Sequence, residues 1–313
     1  MNKRSEVCIT DDWIVSNRGK KNKADPFKPY GWLVEEERTV SGKIEDTAII
    51  FLTNSECPFN CLMCDLWKNT TDIPVPVGAI PSQIEWALDK MPGARHIKLY
   101  NSGSFFDKKA IPEKDYVRIA SLLKNFETVI IESHPKFINE NCLRFRDMLK
   151  PDLHIAMGLE TVNPDILPKL NKKMTSEDFS LSVKFLTNQG IMTRAFILLR
   201  PPFLTEEEGV YWAERSLDFA FAAGVECCTV IPVRGGNGAM DLLQEQGHFS
   251  PPDIQSLETV LEYGIRLKSG RVFADVWDLG LFSHCDKCKD QRTQRLIEMN
   301  LTQNVLDKVQ CNC

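Results

Sequence analysis

Three cysteines fall within eight residues, Cys57-Pro-Phe-Asn-Cys61-Leu-Met-Cys64, in the spacing C-x3-C-x2-C. Thiolates are soft ligands suited to zinc and to iron–sulfur clusters. Three on one loop can hold three corners of a cubane [4Fe-4S] cluster and leave the fourth iron open. An open iron can bind a small molecule through oxygen and nitrogen, which a closed electron-transfer cluster cannot. The alternative is a structural zinc loop. Closed tetrahedral zinc needs a fourth donor, absent nearby, which His96 or His134 would have to bring from later units.

A second group lies near the C-terminus: Cys285-Asp-Lys-Cys288, then Cys311-Asn-Cys313 after 22 intervening residues. Four thiolates in two close pairs can complete a tetrahedron around zinc, or hold a second iron–sulfur cluster. Cys8, Cys142, Cys227 and Cys228 are scattered and read as buried or incidental thiols.

The elements that must position these groups follow from short apolar runs. Residues 47–53, 96–101, 128–132, 153–158, 193–199 and 225–231 read as buried strands. Between them, 82–91, 113–125, 139–149, 176–189 and 206–223 have helical character. Ser82 with Glu85 matches a capping box. Strand and helix alternate, so the fold is α/β with a parallel sheet and helices outside. Right-handed crossovers curl such units into a partial or full barrel, or spread them as an open sheet. In either case the chemistry belongs at the C-terminal strand ends. The first cysteine loop directly follows the first of these strands. Residues 271–278 look like one more strand, and 292–306 like a helix pinned by the tail metal. The domains expected are an extension over 1–45, a barrel over 46–270 and a Cys-rich metal-binding tail over 271–313.

Composition sets the frame. The 313 residues are 43% hydrophobic and 26% charged, as in a folded globular chain. Lys and Arg total 38 against 43 Asp and Glu, a net charge of -5. This balance disfavours a globally basic nucleic-acid binder, because phosphate neutralisation needs excess cations. The one dense cationic run, residues 18–23, reads as a solvated, mobile arm. No run reaches the roughly 18 apolar residues of a membrane span, and the polar N-terminus lacks a signal-peptide core. A cytoplasmic location is the expectation, and structural disulfides are unexpected in that reducing compartment.

The cysteine loop after the first strand of a βα series resembles the signature of the radical S-adenosylmethionine (SAM) superfamily. The resemblance implies a partial (β/α)6 barrel with a Cys-rich extension. It implies a [4Fe-4S] cluster on Cys57, Cys61 and Cys64, and SAM bound at the open iron through its amino and carboxylate groups. One electron then cleaves SAM to methionine and a 5′-deoxyadenosyl radical that takes a hydrogen atom from an organic substrate. An external donor of the flavodoxin or ferredoxin type is implied as partner, with a small-molecule or nucleoside substrate. The aromatic residue usual before the third cysteine is Met63 here, whose thioether can contact the adenine; Trp67 is a second candidate.

Further SAM contacts are expected at strand ends. Asn101, Ser102 and the backbone at Gly103 stand where the superfamily receives the SAM amino group. Glu132 can hold ribose or the methionine ammonium, and Glu160 ribose. Arg194 or Arg200 can hold a carboxylate. The Gly-rich loop 232–238 can cradle an anion, and Asp275 and Asp278 can hold substrate. A narrower resemblance rests on Glu132-Ser-His-Pro, Met157-Gly-Leu-Glu-Thr161, Leu199-Arg-Pro-Pro-Phe203, Trp277-Asp278 and Met299-Asn300 before the tail. These look like the branch that includes the archaeosine-forming lyase, which acts on a deazaguanine base in tRNA.

Overall fold

In the computed structural model, which describes residues 7–311, one sheet of eight strands organises the chain. The strands are β1 (Gly31–Arg38), β2 (Ile44–Leu52), β3 (His96–Asn101), β4 (Thr128–Glu132), β5 (Asp152–Glu160), β6 (Met192–Leu199), β7 (Cys227–Pro232) and β8 (Arg271–Ala274). They lie side by side in sequence order; β1 runs antiparallel to β2 and every later pair is parallel. The helices are α1 (Asp11–Ser16), α2 (Ala79–Leu88), α3 (Tyr116–Leu123), α4 (Glu140–Met148), α5 (Ser176–Thr187), α6 (Glu206–Ala223), α7 (Ala239–Glu245), α8 (Ile254–Leu267) and α9 (Lys289–Thr302). The predicted α/β class and partial barrel hold, with β2 to β7 as the six expected units.

Alternation along each strand sorts the side chains. Ile97, Leu99, Val129, Ile131, Ile155 and Ile197 pack with Ile84, Ile119, Phe145, Val183 and Leu217 of the helices. The other faces turn into the barrel and carry charge at its N-terminal end. There Lys98 Nζ meets Glu35 at 2.9 Å and Glu37 at 2.5 Å. Arg194 forks onto Glu37 at 3.1 and 2.5 Å, and Arg271 onto Glu226 with two bonds of 2.7 Å. Arg271 also donates to the carbonyl of Arg38 at 2.5 Å, so the first and last strands meet at this floor.

Three expectations change here. The boundary at residue 45 falls inside β2, and β1 pairs with β2 along its whole length, so 31–45 is part of the sheet. The run 18–23 is no solvated arm. Arg18 pairs with Glu56, and Lys21 pairs with Glu56 at 2.9 Å and Asp72 at 3.0 Å, which folds the segment over the cysteine loop. Ser82 does not cap a helix. α2 begins at Ala79 behind Gly78, and the Ser82 hydroxyl donates back to the Gly78 carbonyl at 2.8 Å. The capping boxes fall instead at Thr175 with Asp178 and Thr205 with Glu208. Among the described residues, no helix is long and apolar enough to cross a membrane.

Candidate active site and tail metal site

The loop from Cys57 to Cys64 leaves the C-terminal end of β2 and is tied on several sides. Leu62 N–H donates to the Leu170 carbonyl at 2.9 Å. The Asn171 amide donates to the Asn60 carbonyl at 2.7 Å. The Asn237 amide donates to the carbonyls of Leu62 at 2.8 Å and Cys64 at 3.2 Å. Trp67 Nε1 donates to the Cys64 carbonyl at 3.1 Å. Segments after β5 and β7 thus satisfy the loop's backbone groups, which the loop, having no ladder of its own, cannot do.

The β3 end presses against it. Gly103 has φ of +105°, and a Cβ there would stand 3.1 Å from Cys57 Cβ and 3.2 Å from its Sγ. Only glycine tolerates both that dihedral and that approach. Beside it, three buried polar atoms have no protein partner: Asn54 Oδ1, Asn101 Oδ1 and Ser102 Oγ. Orphans of this kind are costly unless a ligand or water satisfies them. Their place at the ends of β2 and β3, beside three thiols, fits a polar ligand at an open iron. Asn101, Ser102 and Gly103 therefore lie at the mouth with the cysteines.

Glu132 and Glu160 end β4 and β5 at the same mouth. Glu160 has φ of +66° and forms a buried ion pair with Lys172. A side chain at Gly158 would fill the space of that pair, which explains the glycine of Met157-Gly-Leu-Glu-Thr161. The Asn101 N–H points at the Glu132 carboxyl, but burial outweighs this and the nearby Lys172 charge, and pushes Glu132 up to about 8. Burial also holds all three thiols above their ordinary value, Cys64 up to about 12. A metal bound there would displace those protons, since the thiolate is the ligand. The Lys172 ammonium opposes the shift at Cys61 and Cys57 and is the buried cation of the site.

Other sequence-predicted residues are elsewhere or already engaged. Arg194 belongs to the floor and is committed to Glu37. Arg200 holds Glu206 at 2.5 Å and the Pro251 carbonyl at 2.8 Å. The loop 232–238 is filled by the protein's own anion, since Gly236 and Gly238 N–H groups donate to the Asp241 carboxylate at 2.6 and 2.7 Å. Arg234 pairs with Asp275 at 2.7 Å and Asp278 at 3.5 Å. Trp67 is buried under the loop with the Arg18 guanidinium over its ring, so it offers no free face to adenine. Met63 is partly buried against an apolar cluster with Leu62 and Ile14.

The histidines do not complete a zinc site at the first triplet. His96 meets Glu45 at 3.1 Å at the opposite end of β3. His134 stacks on Phe59 with ring centroids 4.0 Å apart. Its Nδ1 accepts from Lys136 N–H at 3.1 Å, so Nε2 carries the proton it donates to the Lys172 carbonyl at 2.9 Å. Burial, aided by Lys172, lowers its pKa to about 4, consistent with that neutral tautomer.

Sequence reading missed Lys172, Asn54 and Asn171, and took Asn237 only as part of the Gly-rich loop 232–238. Asn54 sits between the first parallel strand and the cysteines, a signal that could have been used. The other three become legible only once the loops after β5 and β7 fold back onto the cysteine loop.

In the tail, the sulfurs of Cys285, Cys288 and Cys311 all lie within 4.8 Å of one another, with Cys285 and Cys311 at 3.8 Å. Cys313 lies outside the described residues.

This architecture, a mostly parallel curled half-barrel with its polar mouth at the C-terminal strand ends, is the fold of radical SAM enzymes. It matches Elp3 of Methanocaldococcus infernus with a TM-score of 0.51 at 13% identity, over 71% of this chain and 58% of that one. It matches Streptococcus suis SuiB bound to S-adenosylmethionine with a TM-score of 0.52 at 13% identity, over 71% of this chain and 48% of that one. The chain thus spans about half the length of these solved proteins. No protein-family model matches it. In sequence it is 28% identical to archaeosine synthase subunit beta of Thermococcus kodakarensis, over 76% of this chain and 78% of that protein. It is 26% identical to the uncharacterized protein MJ0550 of Methanocaldococcus jannaschii, over 94% and 87%. The chain is a distant homologue of both, built on the radical SAM fold.

Proposed function

We propose that this chain is a radical SAM enzyme, with a [4Fe-4S] cluster on Cys57, Cys61 and Cys64. The observation that carries the reading is three thiols on the loop after the first parallel strand, beside the orphaned polar atoms of Asn54, Asn101 and Ser102. When bound, the cluster supplies one electron to SAM, releasing methionine and a 5′-deoxyadenosyl radical that takes hydrogen from an organic substrate. The chain's own part is positioning. Asn54, Asn101 and Ser102 orient the polar end of SAM, and Gly103 lets the β3 loop approach the first cysteine. Glu132 and Glu160 face the ligand's hydroxyls from β4 and β5, and Lys172 offsets the negative charge of the cluster and its thiolates. Met63 is the thioether nearest the third cysteine for the adenine. The electron comes from an external donor of the flavodoxin or ferredoxin type.

Anaerobically reconstituted protein is expected to show the cluster's visible absorption and to form 5′-deoxyadenosine with a reductant. Zinc alone at Cys57, Cys61 and Cys64 would instead support a non-catalytic thiolate scaffold and end this reading.

A second reading concerns the substrate and is favoured by the likeness to archaeosine synthase subunit beta. In it, the hydrogen donor is a modified nucleoside in RNA, and the reaction is a lyase step. With a net charge of -5, phosphate contacts would come mainly from a partner chain. Salt-sensitive tRNA binding by the chain with such a partner is the expected result; no binding at low salt would count against it.

A further inference from the structure

We infer that the tail holds a single zinc ion, not a second iron–sulfur cluster, and that this zinc staples α9 across the open side of the barrel. Both metals suit four thiolates, and the sequence leaves them equal. Distance separates them. With Zn–S bonds of about 2.3 Å, two thiolates on one tetrahedral zinc stand about 3.8 Å apart. The Cys285 and Cys311 sulfurs are 3.8 Å apart, and Cys288 joins them within 4.8 Å. Thiolates on a cubane each bind a different iron, so they are spread by the inorganic core between them. The sulfurs of Cys57, Cys61 and Cys64, by contrast, do not all lie within 4.8 Å of one another.

The tail backbone is built as a metal knuckle. N–H groups of Lys287 and Cys288 point back at Cys285 Sγ. Lys289 N–H donates to the Cys285 carbonyl at 3.2 Å and starts α9 directly after Cys288. Arg292 Nε donates to Cys288 Sγ at 3.3 Å, a bond that offsets thiolate charge. The fourth thiol of the sequence is Cys313, outside the described residues.

The consequence lies at the sheet edge. Asn300 of α9 exchanges two bonds of 2.8 Å with the N–H and carbonyl of Ala274. Gln303 does the same for Val272, at 2.9 and 2.7 Å. Two side chains thus replace a ninth strand on β8, an edge that would otherwise be left unpaired. Arg38 of β1 donates to the Leu301 carbonyl at 3.2 Å, so α9 touches both ends of the sheet. Arg292 and Arg295 fix the helix to α8 through Glu258 and Glu262. The metal ties the start of α9 to the chain that returns after it.

The test is metal analysis of the full chain, with a Cys57/Cys61/Cys64→Ala variant alongside so that the mouth contributes no iron. About one zinc per chain and no iron is expected in that variant, with Zn–S distances of about 2.3 Å by X-ray absorption. Iron in the variant, or neither metal, would overturn the inference. So would a Cys285–Cys311 disulfide in non-reduced peptide maps of anaerobically prepared protein. Should the triple variant not fold, cobalt(II) added to the unmodified chain after zinc chelation reads the same site. Intense visible bands of tetrahedral cobalt thiolate are expected, and their loss in Cys288→Ala. Bands that survive in Cys288→Ala would place the metal elsewhere. The inference is independent of the proposed radical chemistry, and each can fail alone.

Discussion

The barrel mouth and the tail each gather three or more cysteines, yet they solve opposite problems. At the mouth the cysteines are half-buried, do not close to 4.8 Å as a group, and are pushed by desolvation toward the protonated form. Around them are polar atoms without protein partners and a single buried ammonium. In the tail the sulfurs are close, with Cys285 and Cys311 half-buried and Cys288 buried. Backbone N–H groups of Cys288 and Lys287 bring the Cys285 pKa down to about 7. Near Cys288 the buried arginines are paired, Arg292 with Glu258 and Arg295 with Glu258 and Glu262. The mouth leaves neutral polar atoms for a ligand to satisfy, whereas the tail pairs its buried charges in ion pairs. Cysteine count is the same kind of signal in both; the environment separates them.

The sharpest way to break this comparison is Cys61→Ala. It should reduce 5′-deoxyadenosine formation to below about one thousandth, the scale on which loss of a group carrying the chemistry registers. Tail zinc should be unchanged. Loss of both metals together would show that the two regions are one cooperative unit.

Next in size are the buried ion pairs. Lys172→Met leaves Glu160 buried without its partner, and Glu258→Gln does the same to Arg292. Each should cost about 3–5 kcal/mol in denaturant unfolding. The difference lies in the second readout. Lys172→Met should lower the reduction potential of the mouth cluster, since a nearby cation favours the more negative reduced state. Glu258→Gln should leave that potential alone. A smaller change is Gly103→Ala. Its positive φ and the 3.1 Å approach to Cys57 predict a cost of about 1–3 kcal/mol and reduced iron loading. Zinc should again be untouched.

The smallest effect concerns the floor. Burial would raise Glu37, but Arg194 and Lys98 override it and hold the carboxyl well below its ordinary 4.5. A depressed folded pKa means the stabilisation is present above 4.5 and is lost as pH falls toward the folded value. Between pH 7 and pH 4 the loss from this group is about 0.8 kcal/mol. Comparison of unfolding midpoints at the two pH values, in the native chain and in Glu37→Gln, should show that increment only in the former.

Much of the candidate site's placement was legible because strand ends can be read from apolar runs. Residues 101–103, Glu132 and Glu160 all fall at such ends, and the structure brings them to the cysteine loop. Arg194 was misjudged for a physical reason. It lies on the inward face of the right strand, but near its beginning, where β1 supplies Glu37. That strand gave no clear signal, because its inner face carries glutamates that only the barrel interior neutralises. Arg200, Arg234, Asp275 and Asp278 looked like ligand groups and proved to be mutual or local partners.

From the sequence alone came the α/β class, the succession of parallel strands and helices along the chain, and the two cysteine groups as candidate metal sites. These depend on residue type and on spacing along the chain, which survive without coordinates. The curl of the sheet, the floor that joins β1 to β8, Lys172 beneath the cysteines and the 3.8 Å sulfur separation were decided only in three dimensions. Each is a contact between segments far apart in sequence. A contact of that kind is fixed by how helices and strands pack, and no local pattern encodes its distance.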